Sequence, residues 1–295
     1  MKKRFTLGIL LLLGITVLGP SQGQAFNSAT HIYIAERVFP FAFDKINLYY
    51  GSIAPDLSLY VVDLEEWPTA FCDTHYKFIK IPHGWWNLTQ RAFAKGWQTH
   101  NEIWAADFYA HGTCKCFKKC LEMSCNYDGY IPTQAERLAN VFSSFGNDIL
   151  KDNPDLAHFA IEVAIDLLLV RYHEPGLGLK LLWAAKYRSQ EDLNLMLKTF
   201  VTDGVPNAET LQEAEYTFRE LVIAYAKALA LPDPLRMFAI SELGVQIAAQ
   251  MGVDIDAVTV WWILRVAMYL CQDSDYMEVI QSAIDGIRTN PKLVR

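Results

Sequence analysis

Two histidines and a carboxylate are spaced at helical intervals in the segment HNEIWAADFYAH, residues 100–111. If the segment is helical, offsets of 0, 7 and 11 residues place His100, Asp107 and His111 within about 40° of one another. Imidazole nitrogens and carboxylate oxygens are ligands that proteins use for zinc. The spacing therefore predicts one stripe of potential metal ligands on an otherwise apolar and aromatic helix.

A second set of potential ligands occurs in AHFAIEVAID, where His158, Glu162 and Asp166 follow one another at i, i+4 and i+8. A histidine and a carboxylate one turn apart lie about 6 Å apart along the helix axis, close enough to bind one metal together. For either helix alone, a core histidine hydrogen-bonded to a carboxylate is an equally good interpretation. Two such helices favour metal, because burying several such groups is unfavourable unless they are paired or coordinate a cation.

The remaining candidates lie upstream of these helices. All seven histidines fall between His31 and His173, so we expect the chemistry in the N-terminal two-thirds of the chain. Asp56 follows a proline in a turn-rich segment, where by itself it would be a turn or helix-capping residue. His75, in FCDTHYKF, would by itself be an ordinary loop histidine.

The first 25 residues have the pattern of a secretory signal peptide. Lys2, Lys3 and Arg4 precede an apolar run, and small residues ending at Ala25 provide a cleavage site. A retained membrane anchor is the alternative, although the run is short for a membrane span. We expect a periplasmic or secreted protein, and a net charge of −7 argues against stable binding to duplex nucleic acid.

The six cysteines all lie in the exported part, which makes disulfides the default expectation. Four of them are concentrated in CKCFKKCLEMSC, residues 114–125, directly after the first ligand segment. A separate thiolate metal site is the alternative there, although the spacing matches no common zinc knuckle. The connectivity cannot be read from the sequence.

Apolar residues recur at helical spacing through most of the chain, which predicts an all-α protein. Prolines at 55, 68 and 82 predict that residues 51–87 are irregular. The apolar segment 257–271 is expected to be a buried helix, because it is short for a membrane span and contains Arg265. The predicted helices lie near 30–40, 88–111, 133–150, 155–172, 177–187, 190–201, 207–230, 233–250, 255–272 and 275–288.

The order of these ligands resembles the zinc-dependent phospholipase C family and its cousins, the trinuclear-zinc nucleases of single strands. FNSATH, from Phe26 to His31, is similar to the WxxxxH opening of the nucleases, and GSIAPD and GWQTH look like the family's GxxAPD and GWxxH. One helix departs from the pattern: the family has His-x3-Asp-x5-His where this chain has His-x6-Asp-x3-His. On a straight helix, that change lengthens the His100 to Asp107 spacing from about 6 to about 10.5 Å.

The resemblance implies a multi-helix bundle with three zinc ions. It covers roughly Phe26 to Asp166, and we expect a metal-binding domain at 26–190 and a C-terminal helical extension of unknown role at 191–295. Three ligand sets are implied. Asp56, His75, His100 and Asp107 would hold one zinc, Asp107 would bridge to a second held by Phe26 and His31, and His111, His158 and Glu162 would hold the third. His83 is the alternative for the role of His75, and Asp166 and His173 are either partners that orient the ligands or surface residues.

The expected activity is hydrolysis of a phosphodiester, with Asp56 as general base as well as ligand. Phospholipid is the first choice of substrate, and a membrane surface the first choice of partner. Four tryptophans could form an apolar rim for lipid contact: Trp85, Trp86, Trp97 and Trp104. Core packing is the alternative for these residues. The competing functions are a single-strand nuclease or nucleotidase of the same fold, and a non-catalytic exported zinc-binding protein.

Overall fold

The fold is described from a computed structural model, which covers residues 27–63, 65–77, 80–84, 86–112, 114–117, 122–125, 128–200 and 207–293. For 114–117 and 122–125 only the backbone is described. The predicted signal peptide, Phe26 and Trp85 lie outside these residues.

The N-terminal half is built from short helices joined by tight turns. In order, they are α1 (Ser28–Val38), α2 (Lys45–Ile53), a 3-10 helix (Ala54–Tyr60), α3 (Trp67–Phe71), a π-helical turn (Cys72–Tyr76), α4 (Leu88–Gln98) and α5 (Ala106–His111). A small antiparallel hairpin of β1 (Cys114–Phe117) and β2 (Glu122–Cys125) follows, and in its backbone register Cys114 lies opposite Cys125.

The second half consists mainly of longer helices. They are α6 (Tyr130–Ser144), α7 (Ile149–Asp152), α8 (Pro154–Tyr172), α9 (Leu177–Tyr187), α10 (Gln190–Phe200), α11 (Ala208–Leu229), α12 (Leu235–Gln250), α13 (Ala257–Asp273) and α14 (Tyr276–Thr289). The all-α prediction is confirmed, and the hairpin is the exception that helical periodicity could not reveal.

Several helices begin at a side chain that caps the first backbone N–H groups. Asn27, Asp44, Asn87, Asn207 and Asp256 each accept a hydrogen bond from a backbone N–H in the first turn of the helix that follows. Such caps satisfy donors that have no partner within the helix. The starts of α2, α4, α11 and α13 are therefore fixed by local chemistry, and the start of α1 in part.

The predicted helix boundaries are wrong in the region that carries most of the ligands. Residues 51–87 are not irregular, because the end of α2, the 3-10 helix, α3 and the π-helical turn lie there. The predicted helix 133–150 ends at Ser144, and Gly146 follows with φ of 78°. That left-handed backbone is typical of a residue just beyond a helix end.

The predicted helix 88–111 is also wrong, since it is interrupted between α4 and α5. The Thr99 hydroxyl donates to the carbonyl oxygen of Gly96 at 2.7 Å. The Asn101 side chain accepts from the backbone N–H groups of Ile103 and Trp104. Side-chain bonds of this kind compete with helical hydrogen bonds. The segment 99–105 therefore turns back instead of continuing the helix.

Helices α2 and α4 pack with their backbones in contact. A Cβ atom on Gly96 would lie 2.0 Å from the carbonyl oxygen of Leu48, and one on Gly51 would lie 2.2 Å from that of Phe93. Both distances are far below a van der Waals contact. Glycine at these two positions is what allows the helices to approach so closely.

The same two helices run parallel and deliver two of the candidate ligands. At their N-terminal ends the Thr89 hydroxyl donates to Asp44 Oδ2 at 3.1 Å. At their C-terminal ends His100 Nδ1 donates to the carbonyl oxygen of Ser52 at 2.9 Å. Asp56 and His100 therefore emerge from the same end of the pair.

The hydrophobic core of the described residues continues across residue 190, the expected domain boundary. Side chains of α11 and α13 belong to the same buried cluster as those of α8 and α9. Tyr50 on α2 donates a 2.6 Å hydrogen bond to Glu215 on α11, and Arg188 donates to the same carboxylate oxygen. In the part of the chain that the structure describes, no helix is both long and apolar enough to cross a membrane.

Candidate metal centre

Five of the predicted ligands converge from five different segments into a first cluster. His100 Nε2 lies 3.2 Å from Asp56 Oδ1 and 3.1 Å from Asp107 Oδ2. The other two histidines approach the same carboxylates, with His75 Nε2 3.6 Å from Asp56 Oδ1 and His31 Nε2 3.5 Å from Asp107 Oδ1. Two groups of three within this cluster have ligand atoms close enough together to hold a cation: His31 with Asp56 and His100, and His75 with His100 and Asp107.

The interruption of the helix explains how His100 reaches Asp107. A straight helix would have separated them by about 10.5 Å along its axis. Because residues 99–105 turn back, His100 sits in a loop and Asp107 in the first turn of α5, 3.1 Å apart. The three ligands of residues 100–111 are therefore not a helical stripe, and the altered spacing does not separate the pair.

A second cluster forms where α5 packs near α8. His158 Nε2 lies 3.1 Å from Glu162 Oε1, as expected for residues one helical turn apart. His111 arrives from the C-terminal end of α5, with its Nε2 3.1 Å from the Nε2 of His158. These three residues form a separate group with metal-ligand spacing.

The hydrogen bonds of the rings fix where their lone pairs point. His100 Nδ1 faces a carbonyl oxygen and must donate, so in the neutral ring Nε2 carries the lone pair. That lone pair points at the carboxylate oxygens of Asp56 and Asp107, which are also acceptors. Acceptors that face one another repel unless a proton or a cation lies between them.

Burial makes the carboxylates dependent on a positive partner. In the described residues, neither carboxylate oxygen of Asp107 or of Glu162 has a hydrogen-bond partner. Burial raises the pKa of both groups well above the usual range, and the nearby Asp56 adds to the effect. For Asp56, burial also acts to raise the pKa, but the facing histidines, His100 first, lower it below its ordinary value. Burial lowers the pKa of His31 and so favours its neutral, metal-binding form.

Glu102 is a functional candidate that sequence reasoning missed. It lies in the loop between α4 and α5, almost fully buried, and its Oε1 accepts a 2.7 Å hydrogen bond from His111 Nδ1. Its backbone N–H donates to the carbonyl oxygen of His75 at 3.1 Å. Metal-binding histidines are commonly oriented by a carboxylate that accepts a hydrogen bond from the ring nitrogen that does not bind the metal. Because the sequence predicts a helix over residues 88–111, the position of Glu102 did not indicate this contact.

Asp166 fixes the start of α1, which carries His31. Its carboxylate accepts hydrogen bonds from the backbone N–H of Ala29, the backbone N–H and hydroxyl of Thr30, and the hydroxyl of Tyr225. Burial raises the pKa of Asp166 to about 6, although these hydrogen bonds act to lower it. These contacts favour the interpretation that Asp166 orients a ligand-bearing helix over the one that makes it a surface residue. Through Tyr225, α11 also contacts Asp166.

Other sequence candidates lie elsewhere. His83 is exposed and belongs to none of the groups with metal-ligand spacing, whereas His75 does. His173 hydrogen-bonds to the hydroxyl of Tyr276. Trp97 and Trp104 are buried, so they pack in the core and cannot form an apolar rim.

The described residues test only part of what the sequence predicts for the cysteines, which is disulfides or a thiolate metal site. Cys271 is a free, buried thiol, so pairing does not include every cysteine. Burial raises the pKa of this thiol to about 12, which makes it unreactive. The side chains of the four cysteines at 114–125 lie outside the description, and both disulfides and a thiolate site remain predictions there.

The ligand set suits zinc. Histidine nitrogens and carboxylate oxygens, buried and converging, are the donors of zinc sites, and a cation would satisfy the carboxylate oxygens that have no hydrogen-bond partner. Phe26, the ligand expected from the new N-terminus, lies outside the described residues, directly before the start of α1.

Comparison with known proteins identifies no relative: no family model, no curated protein and no solved structure matches the chain. The likeness to the zinc-dependent phospholipases C therefore remains a prediction from the ligand order.

Proposed function

We propose that the two clusters bind zinc, three ions per chain, and that the protein is an exported phosphodiester hydrolase acting on phospholipid in the manner of phospholipase C. The observation that carries the proposal is the set of acceptor atoms facing one another around His100, with Asp56 and Asp107 both within 3.2 Å of its Nε2. Buried acceptors in this arrangement call for a cation.

The distribution of ligands supports two neighbouring binding regions. The first cluster would hold two ions. The ligand order assigns one to Asp56, His75, His100 and Asp107 and the other to Asp107, His31 and Phe26, whereas the distances between ligand atoms group His31 with Asp56 and His100, and His75 with His100 and Asp107. The second would hold one, through His111, His158 and Glu162.

Charge balance favours an anionic substrate. Four buried carboxylates belong to the clusters or contact them directly: Asp56, Glu102, Asp107 and Glu162. Their ion-pair partners among the described residues are histidines. The six positive charges of three zinc ions would exceed the four negative charges of these carboxylates and leave a net positive site. Such a site attracts and stabilises a phosphodiester, whose negative charge increases in the transition state.

Bound zinc would act as a Lewis acid on a phosphoryl oxygen and supply a water-derived nucleophile at neutral pH. The chain would supply the proton acceptor. Asp56 keeps a side-chain exposure of 13%. As a zinc ligand that solvent can reach, its carboxylate would accept the proton of an attacking water. His158, in the second cluster, also has a side-chain exposure of 13%.

The test is a metal count joined to turnover. The exported protein would be purified, its N-terminus sequenced, and its metals counted by plasma mass spectrometry, together with His111→Ala and the control His83→Ala. We expect a start at Phe26, about three zinc ions, a loss in His111→Ala only, and hydrolysis of phosphatidylcholine.

Three results would redirect the proposal. Turnover of single-stranded nucleic acid in place of lipid would assign the nuclease function. Zinc without turnover of either substrate would favour a non-catalytic zinc-binding protein. A folded, metal-free protein would mean that the clusters are a buried hydrogen-bonded network and that the enzyme proposal is wrong.

A further inference from the structure

Three aromatic side chains project into solvent from two neighbouring loops at the N-terminal ends of α2 and α4. Phe41 is 97% exposed, Phe43 85% and Trp86 90%, and Leu88 is partly exposed beside them. The Thr89–Asp44 hydrogen bond joins the two loops. The aromatic groups therefore belong to one projecting edge of the molecule.

A groove with a volume of about 540 Å³ adjoins this edge. Gln90, in the first turn of α4, lines the groove and accepts a 3.2 Å hydrogen bond from the backbone N–H of Gly84. The groove therefore begins within two residues of Trp86 and Leu88. The described residues that line it include no Asp or Glu: Lys80, Pro82, His83, Gly84, Gln90, Leu195, Lys198 and Thr199.

This combination fits a lipid surface. Aromatic side chains that stand free at loop tips can insert among lipid headgroups, where tryptophan and phenylalanine are favoured. Lysines beside them attract anionic headgroups. The protein as a whole carries a charge of −7, so an anionic membrane repels most of its surface. A local cationic groove would then select this face for contact.

We propose that Phe41, Phe43, Trp86 and Leu88, with the cationic groove of Lys80 and Lys198, form a docking surface for an anionic phospholipid membrane. The aromatic groups enter the interface, and the groove receives headgroup phosphates.

The docking surface is separate from the metal centre. Helix α2 has 9 residues and α4 has 11, and the ligands Asp56 and His100 follow their C-terminal ends. At 1.5 Å per residue these helices are about 13.5 and 16.5 Å long, so the docking surface lies about one helix length from these ligands. Docking anchors the protein. The docking proposal does not depend on whether the proposed hydrolase activity is correct.

The test is co-sedimentation of the full exported protein with vesicles of phosphatidylcholine, with and without 30% phosphatidylglycerol. The variants are Phe41→Ser/Phe43→Ser, Trp86→Ser and Lys80→Glu/Lys198→Glu. Phe145→Ser is the matched control, since Phe145 is 84% exposed and lies at the end of α6. We expect binding that requires phosphatidylglycerol, at least tenfold weaker in the aromatic and charge variants and unchanged in the control.

Three outcomes would overturn the proposal. The first is wild-type protein that does not sediment with either vesicle, and the second is surface variants that bind as the wild type does. The third is a dimer in light scattering that Phe41→Ser/Phe43→Ser makes monomeric, which would assign the surface to a second copy of the chain. Zinc content measured on the same samples is expected to stay at the wild-type value, so failure of docking and failure of the metal proposal are distinguishable.

Discussion

Replacing Glu102 by glutamine is expected to weaken one metal site and leave the others intact. The Glu102 carboxylate accepts from His111 Nδ1 at 2.7 Å, and both groups are almost completely buried. Glutamine keeps the size and one acceptor oxygen but removes the negative charge. The imidazole becomes a weaker electron donor and its ring is less firmly held, while the fold loses no packing.

The magnitude follows from the type of contact. Removing a carboxylate that orients a metal-binding histidine costs about tenfold to a hundredfold in metal affinity, or about 1.4–2.7 kcal/mol. The backbone hydrogen bond from Glu102 to the carbonyl of His75 does not involve the side chain. The first cluster should therefore keep its affinity.

The assay is equilibrium dialysis against buffered zinc, with bound metal counted per chain. Glu209→Gln, an exposed substitution in the first turn of α11, is the control. We expect one of three ions to require tenfold or more free zinc in Glu102→Gln, with a changed cobalt absorption spectrum after substitution. Equal weakening of all three ions, or unchanged binding, would refute this reasoning.

Three further outcomes are expected. Asp166→Asn and Tyr225→Phe should each lower zinc occupancy at the site that includes His31, because both side chains hold the start of α1; occupancy equal to wild type in metal counts would contradict this. Gly96→Ala should destabilise the protein by about 1–3 kcal/mol in urea unfolding, because its Cβ would meet backbone, whereas Gly176→Ala has open space and should be near neutral. Burial, with Asp44 adding to it, raises the pKa of Asp192 to about 8, so the folded state keeps a proton that the unfolded state releases near pH 4. Asp192 should therefore lower stability between about pH 4 and 8 by at most about 1.4 kcal/mol per pH unit, and Asp192→Asn should remove this contribution. A gap between variant and wild type that does not widen with pH would show that Asp192 is not the cause.

Much of the helical framework was predictable because it is encoded locally. Helices α8 to α14 lie within two residues of the segments predicted from apolar periodicity. Most of them present a regular apolar face to the core, whereas α8 is buried on all sides from Ala160 to Val170. The contact between His158 and Glu162 follows from the same periodicity, because a spacing of four residues brings two side chains together on one helix. The residue types and order of the ligands also stand in the sequence.

The short elements were not predictable in the same way. Helix α2, the 3-10 helix and the π-helical turn are too brief to show a period, and prolines at 55 and 68 made the segment look irregular. Prolines there stand at the starts of the 3-10 helix and α3, positions that need no backbone N–H.

Distances between ligands on different segments were decided by tertiary structure. Side-chain bonds of Thr99 and Asn101 break the helix and bring His100 to Asp107. The packing of α5 near α8 places His111 against His158. The loop between α4 and α5 places Glu102 within hydrogen-bond distance of His111. Periodicity fixes which residues share a face of one helix, whereas contacts between segments depend on how the whole chain packs, which no local spacing specifies.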